Sequence, residues 1–124
     1  KQVVETIKSA DILVHGMGQA QVMAKKRGVG PALMKELENR GAIGEALGQY
    51  FDLNGQVVHS TDTLGLMVND LETIHTVMGI GGGRSKGGAI LSVLRSGQDD
   101  ILVTDEAAAR EIICCLQDGN RHTV

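Results

Sequence analysis

The chain has 124 residues, enough for one ordinary domain, and its 42% hydrophobic and 22% charged content is close to globular averages. Frequent apolar runs and glycines without a three-residue period exclude a disordered chain and a collagen. A formal net charge of −3 leaves no basic face for gripping nucleic acid, and the lack of an 18-residue apolar run excludes a membrane-spanning helix. One Pro, one Tyr, one Phe and no Trp leave the core to Val, Ile, Leu, Met and Ala. The adjacent Cys114 and Cys115 cannot bridge one another without strain. Lying in an apolar helical pattern, they read as small core residues in a reducing, cytoplasmic setting. The chain starts at Lys1 and reads as a piece of something longer.

Residues 2–9 predict a helix, with Val3, Val4 and Ile7 on one side. Ile12-Leu13-Val14 is a short apolar run that suits a parallel strand buried on both faces, ended by His15-Gly16-Met17-Gly18. Helices follow over 19–26 and 31–39, the second opened by Pro31. Asn54-Gly55 between residues 49–53 and 56–59 predicts a hairpin with a type I′ turn, extended by a third stretch over Leu64–Val68. Residues 70–74 read as one helical turn. The last fifty residues alternate most clearly: strand 76–80, loop 81–86, helix 87–95, strand 101–104 and helix 105–116. Three parallel strands with right-handed crossovers make about half of a doubly wound α/β domain.

The loop Gly81-Gly82-Gly83-Arg84-Ser85-Lys86 lies between a strand and a helix, where backbone N–H groups and the helix dipole can converge on an anion and Lys86 can add a charge. It lacks the third glycine of a dinucleotide fingerprint and is not a P-loop, so anion binding and a plain turn both remain open. His15-Gly16-Met17-Gly18-Gln19 is a second glycine loop on the same sheet edge, where ligands of open α/β sheets sit. Lys25-Lys26-Arg27 is the one basic cluster and reads either as a phosphate contact or as a solvated helix end. Glu45 could accept hydrogen bonds from sugar hydroxyls, although its position alone reads as surface. His15, His59, His75 and His122 show no metal spacing, and no cofactor is called for.

Ala10–Gly18, Met23–Arg27, Glu45–Asp52, Gly55–His59, Gly81–Lys86 and Leu102–Ala108, taken together, resemble bacterial transcriptional regulators of the SorC/DeoR-like sugar-responsive class. The branch that governs central glycolytic genes is the most similar. The resemblance covers essentially the whole chain. It implies a Rossmann-like parallel sheet with flanking helices and a small antiparallel hairpin insertion, similar to sugar-phosphate isomerases and deaminases. Residues 1–124 would then be the C-terminal part of an effector-binding domain. The first half of that domain and a winged-helix DNA-binding domain would lie upstream. The resemblance further implies a homo-oligomeric, non-catalytic repressor, reaching operator DNA through its winged helix. Its effector would be a phosphorylated sugar such as fructose 1,6-bisphosphate. Carried over residue by residue, Lys86 matches a phosphate-binding lysine, Glu45 a hydroxyl-binding carboxylate, and Lys26 and Arg27 a basic pair on a phosphate. Gly18 and Gln19 match the lining loop, and Gly83 and Ser85 the glycine loop. Gln19 stands where the family often has an acidic residue, and Lys26 where it often has arginine. Two other readings remain: an isomerase or deaminase using Asp105 or Glu45 as base, and a domain that only assembles.

Overall fold

The structure, a computed structural model, describes residues 2–61 and 68–121. The first part of the chain forms α1 (Gln2–Lys8), β1 (Ile12–Gly16), β2 (Gly18–Gln19), α2 (Ala20–Lys26) and α3 (Pro31–Asn39). Three short strands follow, β3 (Gly44–Ala46), β4 (Gln49–Phe51) and β5 (Val57–Ser60). The last part holds β6 (Thr76–Ile80), α4 (Gly87–Leu94), β7 (Ile101–Val103) and α5 (Glu106–Arg121). Two 3-10 turns, Val68–Thr73 and Arg84–Lys86, lead into β6 and α4.

β1, β6 and β7 form the expected parallel sheet in that order, with Ile12 opposite Thr76 and Met78 opposite Ile101. β1 is not buried on both faces. Leu13 packs with Val4 and Ile7 of α1 around Leu71, Ile74 and Val77, whereas Ile12 and Val14 are exposed. The apolar run therefore has one covered and one bare side. The alternation was hidden because both sides carry hydrophobic residues.

β2, β3, β4 and β5 form a separate antiparallel sheet. The type I′ geometry falls at Leu47-Gly48, the link between β3 and β4, where φ is 54° and 81°. Residues 52–56 instead make a five-residue loop, in which the Asp52 carboxylate accepts the N–H groups of Asn54 and Gln56. Asn54 has no positive φ there, so the expected Asn-Gly I′ turn is not formed. Of the third hairpin stretch, residues 64–67 lie outside the described residues, and Val68 opens a 3-10 turn.

α4 lies between the two sheets, and its Ile90, Leu91 and Val93 pack with Ala46, Phe51 and Met17 on one side and Ala108 and Ile112 of α5 on the other. Gly44 makes that packing possible: a Cβ on it would lie 2.0 Å from Ser92 Oγ and 2.6 Å from the Ala89 carbonyl oxygen. A second cluster, Ala20, Ala24, Leu37, Ala42 and Tyr50, fixes α2 and α3 against β4. α5 runs to Arg121, past the end expected at residue 116. Contrary to expectation, Cys114 is exposed, whereas Cys115 is half-buried and packs against the core cluster beside Ile112. Among the described residues no helix is long and apolar enough to cross a membrane.

Candidate functional site

β1 and β6 end side by side, Gly16 opposite Ile80, so both glycine loops leave the same carboxyl edge. One residue, Met17, carries the chain from the parallel sheet into β2 of the antiparallel sheet, its N–H held by the Ile80 carbonyl at 3.1 Å. This change of sheet opens a cleft of about 330 Å³ between one face of α2, the β3–β4 turn and the start of α4. That is a size suited to a small organic molecule.

α2 contributes Val22, Met23 and Lys26, which its helical period places on one face, and its C-cap Arg27 joins them. Gly18 lies under that face, and a Cβ on it would meet Met23 Cγ at 2.8 Å. A side chain at this position would require Met23 to move. Gln19 donates from Nε2 to the Ser85 carbonyl at 2.7 Å, tying the first glycine loop to the turn that carries Lys86. Lys86 itself stands at the N-terminal end of α4. A cation is unfavourable at a helix N-terminus, and an anion between the two relieves both. Neither Lys26 nor Lys86 has an ion-pair partner among the described residues.

Glu45, at the centre of β3, is buried rather than on the surface. Its Oε1 accepts Arg27 Nη2 at 2.7 Å and the Gly48 N–H at 3.0 Å, and it lines the cleft. Arg27 also donates to the Tyr50 hydroxyl at 3.2 Å. Burial opposes charge on Arg27, but the bonds to Glu45 and Tyr50 outweigh it and hold the guanidinium charged. The cleft thus collects Lys26, Arg27 and Lys86 against one carboxylate, a positive site on a chain of negative net charge. Lys25 does not line it.

Two of the candidate residues stand elsewhere. Gly83 gives its N–H to Asp105 Oδ2 at 2.8 Å, and Ser85 lines a different depression with Arg84 and Glu111. Asp105 Oδ1 accepts the Ala108 N–H, so the aspartate considered as a base caps α5 and fastens the glycine loop. Sequence reasoning missed Leu47 and Val22 as lining residues. Leu47 projects from the one non-glycine positive-φ position among the described residues, a strained conformation of the kind found at ligand sites.

It also missed a buried pair beside Gly16. His15, next to Gly16, meets Asp99 Oδ1 through Nε2 at 2.5 Å and the Gly16 carbonyl through Nδ1 at 3.0 Å. Burial disfavours its charge, but Asp99 with smaller help from Gly16 and Glu45 raises its pKa above the ordinary histidine value. With an acceptor on each ring nitrogen, the imidazolium is the form that satisfies both. A search of the sequence for metal spacing does not find such a pair, since its members are 84 residues apart.

Residues 1–114 match the family described as "Putative sugar-binding domain". A central glycolytic genes regulator of Priestia megaterium is 41% identical over 113 residues, covering 91% of this chain and 33% of that protein. Its namesake in Bacillus subtilis is 38% identical over the same length and shares. Among solved structures, a SorC-family transcriptional regulator of Enterococcus faecalis superposes with a TM-score of 0.83 at 35% identity, over 90% of this chain and 46% of that one. The chain spans about a third of the length of the curated relatives it matches.

Proposed function

The chain belongs to the sugar-binding domain family of SorC/DeoR-type transcriptional regulators, and from that premise we propose that its cleft senses a phosphorylated sugar and does not transform it. The observation that carries this reading is the meeting of Lys26, Arg27 and Lys86 with Glu45 in one cleft at the sheet's carboxyl edge. The cations neutralise phosphate. Glu45 accepts from sugar hydroxyls, and Val22, Met23 and Leu47 cover the carbon skeleton. Cations at the end of α2 and at the start of α4 suit a ligand with phosphate at both ends, such as fructose 1,6-bisphosphate. The two relatives named as regulators of glycolytic genes favour the same class of ligand.

Sensing is favoured over turnover because Asp105 has both oxygens engaged in backbone bonds and Glu45 has Oε1 held by Arg27 and Gly48. The intact protein is then a cytoplasmic homo-oligomeric repressor whose winged-helix domain meets the operator. Effector changes its hold on DNA by binding one quaternary state better than the other. Lys86→Gln in the intact regulator tests the reading. Losing one charge-assisted contact, worth about 1.5–3 kcal/mol, raises the effector concentration for half-response by roughly 10- to 100-fold. Operator affinity without effector stays as in the parent. An unchanged effector response would contradict the assignment.

A further inference from the structure

Gln19 occupies the N-cap of α2, the place from which a polar side chain ordinarily bonds its own helix, but it makes no such bond. Its Nε2 donates instead to the Ser85 carbonyl at 2.7 Å, 66 residues along the chain. Ser85 is the middle residue of the 3-10 turn Arg84–Lys86, so the amide holds the neighbour of Lys86. That turn is also held at its start, where the Gly83 N–H donates to Asp105 Oδ2 at 2.8 Å. Gln19 and Lys86 both line the cleft. We propose that Gln19 is a positioning residue of the cleft, acting through the Ser85 carbonyl to fix where Lys86 meets a bound phosphate.

A lysine is a point charge on a flexible stem, so its hold on an anion depends on where its backbone is placed. A turn fixed before the ligand arrives costs less to order on binding. Without the Gln19 amide the turn keeps its bond at Gly83 and loses the one at Ser85. Lys86 is then free to shift relative to α2, while the loop stays folded. An amide suits this task because it supplies a donor and carries no charge. A carboxylate of the same size would set an acceptor against the Ser85 carbonyl. It would also place a negative charge near Lys86, where it competes with phosphate for the cation. With Gln19 neutral, Glu45 is the one acidic side chain lining the cleft among the described residues.

The inference rests on the reading of the cleft as a phosphate site, and a double-mutant cycle separates the two. Affinity for fructose 1,6-bisphosphate is measured by calorimetry on the intact regulator and on its Gln19→Met, Lys86→Gln and doubly substituted forms. Losing one neutral hydrogen bond, Gln19→Met should bind about 3- to 10-fold more weakly than the parent. In the Lys86→Gln background the same substitution should weaken binding by less than about twofold, because the side chain it positions no longer carries charge. Gln19→Glu, which keeps the size and loses the donor, should bind at least as weakly as Gln19→Met. Equal losses from Gln19→Met in both backgrounds would overturn the inference, since Gln19 would then act on the ligand or the fold without Lys86. Parental affinity in either Gln19 variant would overturn it as well. Parental affinity in Lys86→Gln would overturn the reading of the cleft, and this inference with it.

Discussion

Replacing Glu45 by alanine should destabilise the domain more than any surface substitution. The Glu45 side chain is 5% exposed, and its Oε1 joins Arg27 to the backbone of the Leu47-Gly48 turn. Removing one member of a fully buried pair costs about 3–5 kcal/mol. Arg27 is 31% exposed, so water recovers part of that cost on its side. The orphaned Gly48 N–H adds about 1 kcal/mol. The net expectation is a loss of about 2–3 kcal/mol. For a chain of this size an unfolding entropy of about 2.1 cal/mol/K per residue converts 1 kcal/mol into about 4 °C. Glu45→Ala should therefore melt about 8–12 °C below the parent by circular dichroism. Glu45→Gln keeps an acceptor in place and should fall between the two. A Glu45→Ala midpoint within about 2 °C of the parent would refute the buried-pair account and return Glu45 to the surface.

The His15–Asp99 pair gives a pH signature. His15 has a folded pKa raised above its unfolded value, so its stabilisation is fully present below about pH 6.5 and is lost as pH rises through the folded pKa. Midpoints measured from pH 5.5 to 9 should decline across that window, and His15→Gln should flatten the decline; an unchanged slope in the variant would assign it to other groups. Gly44→Ala forces a methyl group onto Ser92 Oγ and the Ala89 carbonyl, and overpacking of this kind costs about 1–3 kcal/mol. Its midpoint should fall by about 4–12 °C; a gain in stability would mean that α4 can back away from β3.

The half of the fold that the sequence states clearly is the stretch from β6 to α5, where each apolar run is short, α4 is a run of small and apolar residues, α5 is amphipathic and glycines or aspartates separate the elements. β3 was not legible. Gly44-Glu45-Ala46 has neither alternation nor β-branched residues, and it is a strand because α4 and β4 flank it. Asn54-Gly55 carries the stronger local signal for a I′ turn, yet the Asp52 carboxylate captures the neighbouring N–H groups and Leu47-Gly48 adopts the geometry instead. The basic members of the site were visible as residue types, and the structure brings Lys26, Arg27 and Lys86 to one cleft. What the sequence could not state is that the Gly83 N–H is held by Asp105, or that His15 pairs with Asp99, 84 residues away, because both depend on contacts between distant segments.

The most direct test of the central claim is a thermal titration of the intact regulator with fructose 1,6-bisphosphate, fructose 6-phosphate, fructose and inorganic phosphate. A ligand at about 100 times its dissociation constant stabilises the folded state by about 2.7 kcal/mol, several degrees for a protein of this class. A phosphorylated sugar should produce that shift, with fructose producing none and inorganic phosphate less. No shift with either phosphorylated sugar, or an equal shift with unphosphorylated fructose, would contradict the account.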